Sequence, residues 1–511
     1  MAAADNVRLA RRLGWLDPGQ VAATTVALAR WGPTLAAVYT AAAMRHPRRA
    51  AVVDHRGTVT YATLDRNSTA LARGLRVLGV AAGEHVGILG HNHRDFVEAS
   101  IATAKAGQVC VYLNTGFAAP QLGEVAEREG LRAVVCDAEL LPTVERSGFD
   151  GIVVVADGDA GEHHGCPAVR RLGGHRPLLP SRPMAPVLLT SGTTGTPKGA
   201  RRHGRPTGVA SAVGVLQAIP YRSGDVSVIP TPLFHAWGLA QLTIAAATAA
   251  TAVLVRRFSA EATLDAVEEH RARVLAVVPV MLQRMLNSEG FDQRDLSMLD
   301  VVASSGSALP AALALSWMDR AGDHLYNLYG STEVGQATLA APADLRAAPG
   351  TAGRVIDGST VRVIGSDGQP IPSGSEGLIV VGNEAQFDEY TGGGTRDTID
   401  GLMSSGDVGY FDDDDRLFVT GRADDMIVSG GENVFPQEIE DLLLAQDDIV
   451  DVVVVGVPDE EFGQRFAALV VRRPDAAIDE AAVKRVVADR LARHKVPRDV
   501  HFVAELPRTT T

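Results

Sequence analysis

Short apolar runs alternate with stretches of three-to-four-residue apolar periodicity along the first third of the chain. Val86-Gly87-Ile88-Leu89, Val109-Cys110-Val111-Tyr112-Leu113 and Ala133-Val134-Val135-Cys136 have strand length. Separated by helical patterns, they predict an α/β arrangement with a parallel sheet. Residues 157–186, rich in Gly, His and Pro, read as a loop or subdomain junction. A second α/β set follows, with Val226-Ser227-Val228-Ile229, Val253-Leu254-Val255, Val274-Leu275-Ala276-Val277-Val278 and Val301-Val302 as its strands. After about residue 345, Val361-Arg362-Val363-Ile364 and Gly377-Leu378-Ile379-Val380-Val381 lie between Gly-Ser, Asp-Gly and Pro turns, which predicts a small β subdomain. Past Gly421, Val452-Val453-Val454-Val455 and a helix over 480–493 predict a compact α+β unit.

Two segments test that pattern. The first forty-odd residues read as amphipathic helix anchored by Trp15, Leu16, Trp31 and Leu35. Packing against the helix's own domain is favoured over docking on a membrane surface. Residues 236–255 carry no charge over twenty positions, the length of a membrane span. They are mostly Ala and Thr, however, interrupted by Gly238 and Gln241, and end in β-branched Ala252-Val253-Leu254-Val255. A buried helix followed by a buried strand is the expectation.

Composition narrows the function. At 511 residues, 46% hydrophobic and 21% charged, the chain is globular and long enough for two or more domains. A net charge of -13 argues against nucleic acid as a partner, which needs a basic surface. Cys110, Cys136 and Cys166 are scattered, odd in number and outside any C-x-x-C spacing, so a reducing cytoplasm is expected rather than a disulfide framework or zinc site. Asp5 and Asp17 among arginines, with no apolar core, argue against a secretory signal.

The densest chemistry lies in Thr190-Ser191-Gly192-Thr193-Thr194-Gly195-Thr196-Pro197-Lys198-Gly199, which follows the strand-like Val187-Leu188-Leu189. Glycines let successive N–H groups converge on an anion, the hydroxyls add donors, and Lys198 adds a point charge. The nucleotide loop G-x-x-x-x-G-K-[ST] does not fit. Pro197 stands where its second glycine belongs, and Gly199 where its metal-binding hydroxyl belongs.

Further motifs follow in order: Tyr326-Asn327-Leu328-Tyr329-Gly330-Ser331-Thr332-Glu333, Ser405-Gly406-Asp407, Gly421-Arg422-Ala423-Asp424 and Ser429-Gly430-Gly431-Glu432-Asn433-Val434, the last trailed by Pro436 and Glu438-Ile439-Glu440. With the decapeptide they resemble the adenylate-forming superfamily of acyl-CoA synthetases, adenylation domains and luciferases, from about residue 35 to the end. The last motif is most similar to acyl-CoA ligases. The resemblance implies an α/β fold with a large N-terminal domain (1–421) of two α/β subdomains plus a small β subdomain. A small mobile α+β C-terminal domain (422–511) would turn about a hinge near Asp424.

It also implies roles. Thr190, Ser191, Gly192, Thr193, Thr194, Gly195, Thr196 and Lys198 would hold the β- and γ-phosphates of ATP as pyrophosphate leaves. Glu333 would coordinate Mg²⁺, a hard cation suited to carboxylate and phosphate oxygens. Tyr329, beside Gly330, would stack on adenine, and Thr332 would contact the α-phosphate. Asp407 would accept from both ribose hydroxyls, with Arg422 a second ribose contact. The segment containing Gly306 and Ser307 resembles the adenine-side loop. His235 would gate the passage between acyl group and nucleotide; Trp237 reads equally as an acyl-channel wall or a structural indole. Gly430 and Gly431 would border the coenzyme A tunnel. Lys198, His235, Glu333 and Arg422 are the expected catalytic set. Asp412-Asp413-Asp414-Asp415 is expected to be a solvated turn and not a metal site.

The expected reaction is ATP-dependent activation of a fatty acid of medium-to-long chain, or another carboxylic acid, followed by transfer to CoA. A fatty acyl-AMP ligase serving a carrier protein, an aryl or short-chain acid ligase, and a non-catalytic binding form are the alternatives. Peripheral membrane contact and a homodimer are further options for partners. The family's terminal P-x-T-x-x-G-K supplies a lysine that bridges the acyl carboxylate and α-phosphate. Pro507-Arg508-Thr509-Thr510-Thr511 matches its beginning, and none of Lys105, Lys198, Lys484 and Lys495 falls there. The 511-residue form is expected to adenylate poorly while converting a supplied acyl-adenylate, and extension by Gly-Lys to speed pyrophosphate exchange.

Overall fold

The apolar runs become strands almost residue for residue. In the computed structural model, which describes the chain apart from residues 1, 175–177, 191–196, 202–208, 424–426, 430–431, 460–462, 475, 492–494 and 507–511, the chain forms two units. One comprises Met1–Gly306 with Glu384–Arg396, the other Ser307–Asn383 with Asp397–Thr509.

The first unit is α/β. One sheet runs in the order Glu389–Tyr390, Lys198–Arg201, Val187–Thr190, Val109–Tyr112, His85–Leu89, Leu131–Cys136, Ile152–Val155, His164–Gly165. Its pairs are parallel from Val187–Thr190 onward, and antiparallel where Lys198–Arg201 turns back and where Glu389–Tyr390 joins it. Strands buried on both faces carry unbroken apolar runs, which is why Val109–Tyr112 is buried at every position. In the second sheet Val301–Ser304, Val274–Val277, Val226–Ile229, Thr251–Leu254 and Ala50–Asp54 are successive parallel neighbours, with Gly57–Thr60 as an antiparallel edge.

The charge-free segment resolves into helix Ala236–Ala247 and strand Thr251–Leu254, as its composition predicts. Among the described residues, no helix is long and apolar enough to cross a membrane. At the N-terminus, helices Ala2–Arg12, Pro18–Trp31 and Leu35–Arg45 pack through Leu9, Leu13, Ala23, Ala27 and Trp31. Of the expected anchors, Trp31 is buried in the core and half-buried Leu35 packs against it, Trp15 is half-buried, and Leu16 is corrected, being 54% exposed. Ala23 and Ala27, four apart, share that contact with Trp31.

Residues 157–186 are also more than a junction. They contain helix Cys166–Gly173, which sets buried Cys166 and Val169 against helix Tyr61–Val77. The three cysteines are buried free thiols, and burial pushes Cys110 and Cys136 up to about 12.

In the second unit, Leu325–Ser331 and Gly335–Ala340 form a hairpin joined by Arg354–Val355. An antiparallel sheet of Ser359–Ile364, Gly377–Asn383, Leu402–Phe411 and Thr398–Ile399 carries Leu417–Arg422 on its long strand. Asp412 turns that last hairpin by accepting from Arg416 N and Nε at 2.8 Å each, and Asp413, Asp414 and Asp415 are exposed, as expected of a solvated turn. The chain ends in Ile449–Asp459, Gly463–Arg472 and Asp499–Phe502. Ile439, Leu443, Val483 and Val487 of the helices Pro436–Leu444 and Glu480–Arg490 share one core with Phe466.

Candidate active site

Strand Val187–Thr190 delivers the chain to the Gly/Thr loop, and Lys198–Arg201 returns it in register, Leu189 opposite Gly199 and Thr190 opposite Lys198. Thr190 Oγ1 donates to Lys198 O at 3.2 Å and closes the base of the loop. Ser191, Gly192, Thr193, Thr194, Gly195 and Thr196 lie outside the described residues. Lys198 is exposed, with Nζ 5.6 Å from the Tyr390 ring centroid, a cation–π distance. The register explains that pair. Tyr390 sits opposite Ala200, and side chains two apart on a strand share a face.

Behind this return strand lies a buried polar chain. Gly199 N–H donates to Thr391 Oγ1 at 2.9 Å, and Thr391 Oγ1 donates to Glu129 Oε1 at 2.6 Å. Glu129, 3% exposed, also accepts from Arg128 Nε at 2.9 Å. A Cβ on Gly199 would stand 2.6 Å from both Thr391 Oγ1 and Val187 Cγ1, so glycine is required by close approach. Glu129, Tyr390 and Thr391 escape sequence reasoning because none belongs to a motif. Their only signal is a threonine after an aromatic in a Gly-rich stretch.

His235 is the N-cap of helix Ala236–Ala247, and its own side chain makes no capping bond. Its ring centroid lies 4.4 Å from that of Phe234, and its buried Nε2 has no hydrogen-bond partner among the described residues. Burial lowers its pKa to about 4, so the ring is neutral near pH 7. Trp237 takes the structural reading, since its Nε1 donates to Val277 O at 2.9 Å. Gly306 (φ 96°) and Ser307 are exposed beyond the strand Val301–Ser304.

The second unit brings together Tyr329, Asp407 and Arg422. Asp407 and Arg422 face each other across paired strands, and Arg422 Nη1 donates to Asp407 Oδ1 at 3.1 Å. Tyr329 Oη donates to Asp407 Oδ2 at 2.5 Å. Burial first, and then the Asp407 charge, raise the Tyr329 phenol well above its usual value. Gly330 opens the hairpin turn that holds Ser331, half-buried Thr332 and Glu333; Glu333 N–H donates to Ser331 Oγ at 3.2 Å. Asp424, Gly430, Gly431 and residues 507–511 lie outside the described residues.

Glu333 is 7% exposed and follows Ser331 and Thr332, and its carboxylate is the hard oxygen ligand that Mg²⁺ takes together with phosphate oxygens. Elsewhere among the described residues, His91, Asp137 and Glu139 are close enough together for an ion. There Arg256 donates to both carboxylates and Arg257 to Glu139, so cationic side chains already fill the place.

The chain matches the AMP-binding enzyme family over residues 39–391 and the AMP-binding enzyme C-terminal domain over 438–511, and it belongs to this adenylate-forming family. It is an ATP-using acid–thiol ligase, of the class that joins a carboxylic acid to CoA through an adenylate. It is 33% identical to a feruloyl-CoA synthase of Amycolatopsis, covering 90% of this chain and 93% of that protein. It is 31% identical to a fatty acid–[acyl-carrier-protein] ligase of Streptomyces coeruleorubidus, covering 91% and 92%. The structure of ATP-bound MatB from Rhodopseudomonas palustris superposes with a TM-score of 0.81 at 27% identity, over 91% of this chain and 94% of that one.

Proposed function

We propose that the chain is an acyl-CoA synthetase for fatty acids of medium to long chain, acting in the cytoplasm. The acid carboxylate oxygen attacks the α-phosphorus of ATP, and the bond to pyrophosphate breaks. The CoA sulfur then attacks the acyl carbonyl of the adenylate, the bond to the AMP oxygen breaks, and the thiol proton is lost. The protein supplies positioning and charge in such a transfer.

The observation that carries this reading is the Tyr329–Asp407–Arg422 constellation. Tyr329 and Arg422 hold the Asp407 carboxylate in place, an acceptor-only group of the kind that takes a pair of ribose hydroxyls. Tyr329 and Gly330 bound the adenine, Gly306 and Ser307 line its edge, and Thr332 reaches the α-phosphate. Lys198, with Thr190 to Thr196, neutralises the departing pyrophosphate. Mg²⁺, when bound through Glu333, supplies charge neutralisation on the phosphates. His235 gates the acyl group, with Gly430 and Gly431 on the CoA side. Labour divides at residue 421, with 1–421 binding acid and ATP and 422–511 turning near Asp424.

The preference for a fatty acid rests on the apolar setting of His235, neutral beside Phe234 and buried Trp237. An aryl acid is the second reading, favoured by the likeness to a feruloyl-CoA synthase. The test is a panel of acids assayed for pyrophosphate release with ATP, and for thioester formation from supplied acyl-adenylates with and without CoA. Fatty acids are expected to give the highest kcat/KM, with thioester appearing only with CoA. Cinnamates outpacing every fatty acid would install the second reading. Adenylates that transfer to a carrier protein and never to CoA would replace the acceptor, and ATP binding without either step would make the chain a binding protein.

A further inference from the structure

Strand His85–Leu89 runs into Gly90, and the next three residues face two ways. His91 Nδ1 and His93 Nε2 reach the Asp137 carboxylate at 3.0 and 2.7 Å. Arg257 Nε–H donates to His91 Nε2 at 3.1 Å and Asp95 N–H donates to His93 Nδ1 at 3.2 Å, so each imidazole keeps its proton on the nitrogen facing Asp137. The pair ties this loop to the end of strand Leu131–Cys136.

Asn92, between them and 3% exposed, faces the second sheet. Its Nδ2 donates to Thr231 O at 2.8 Å and Ile229 O at 3.3 Å, and its Oδ1 accepts from Leu233 N–H at 2.9 Å. Those groups belong to the end of strand Val226–Ile229 and to the segment that leads into Phe234 and His235. One primary amide therefore meets Thr231 O and Leu233 N–H and adds a second donor to Ile229 O, which also accepts from Val255 N–H at 3.4 Å; no apolar side chain can do this. Thr231 Oγ1, donating to Ala276 O at 2.7 Å, fastens the other side. His235 N–H continues the turn to Pro232 O at 3.2 Å. Among the described residues the imidazole Nε2 has no hydrogen-bond partner, so no bond from that nitrogen competes with the backbone in setting the ring's direction.

We infer that Asn92 is a positioning residue for His235: its amide fixes the backbone of residues 229–233, and that backbone aims the imidazole. The inference deepens the proposed gating role of His235 and rests on it for its kinetic consequence. It does not rest on that role for its structural one.

The test pairs NMR titration of the His235 ring with kinetics on the full chain. In Asn92→Ala the loop relaxes and the ring gains water, so its titration moves up from about 4 toward the ordinary histidine value. The kcat/KM for the acid falls about tenfold while the KM for ATP changes less than about twofold. The double variant Asn92→Ala/His235→Ala is no slower than His235→Ala alone within about twofold, because both act through one group. Multiplying effects, or an unmoved His235 titration, would overturn the inference. Should Asn92→Ala fail to fold, Asn92→Ser, which keeps a shorter donor, shows the same titration shift. If His235→Ala leaves acid kinetics unchanged the gating role fails, and the titration shift still decides for or against Asn92.

Discussion

Asp407 shows how little of a residue's chemistry its motif reveals. Ser405-Gly406-Asp407 marks a carboxylate, whereas the hydroxyl of Tyr329 and the guanidinium of Arg422 on it are products of strand register. Removing the carboxylate deletes both of these hydrogen bonds and takes the ribose contact with it. Asp407→Ala is expected to raise the KM for ATP at least tenfold, about 1.4 kcal/mol or more of binding, in initial-rate assays. His235 allows a prediction in pH. Burial lowers its pKa from 6.5 to about 4, so between those values the unfolded chain binds the proton more readily than the folded one. Stability is thus full above pH 6.5 and declines as pH falls toward 4, by at most about 3 kcal/mol from this group. Burial raises Glu98 to about 7 against the pull of Arg170, and that group works in the opposite direction. The readout is therefore the difference between the native chain and His235→Phe in denaturant titrations at pH 7 and pH 4.5. Native stability should fall more steeply than that of the variant.

At the scale of elements, long apolar runs were legible and short helices in glycine-rich surroundings were not. Helix Cys166–Gly173 has eight residues, too few for periodicity to outweigh its Gly and Pro neighbours. It exists because it packs on helix Tyr61–Val77 at near backbone contact, where a Cβ on Gly74 would stand 2.1 Å from Val169 O. Gly74→Ala is accordingly expected to destabilise the first unit by about 1–3 kcal/mol, seen as a lower Tm with unchanged KM values. The phosphate-loop return strand depends in the same way on a partner remote in sequence. Thr391→Val keeps the shape but leaves Gly199 N–H without its side-chain acceptor and takes the Thr391 hydroxyl from buried Glu129, which keeps Arg128 Nε as a donor. A loss of about 2–3 kcal/mol in stability is expected, together with slower pyrophosphate release. If release keeps its native rate in a folded variant, the chain from Glu129 to Gly199 is structural only.

For the molecule as a whole, ligand linkage gives a readout independent of turnover. AMP at about a hundred times its Kd should stabilise the chain by about 2.7 kcal/mol, a Tm rise of about 2 °C, and at the same AMP concentration Asp407→Ala, binding at least tenfold more weakly, should retain about 1.4 kcal/mol of it at most. What the sequence by itself determined is the α/β class, the order of nearly every buried strand, the reading of residues 236–255 as helix and strand, and the adenylate-forming family. Each of these is written in local pattern or contiguous motif, because burial on both faces demands unbroken apolar runs and phosphate chemistry demands glycine, hydroxyl and lysine in one loop. Tertiary structure alone decided that Asp407 is held by Tyr329 and Arg422, that Thr391 and Glu129 brace Gly199, and that Asn92 sets the backbone before His235. These are hydrogen bonds between groups up to 262 positions apart, and their partners are chosen by register and burial, which a one-dimensional pattern does not encode.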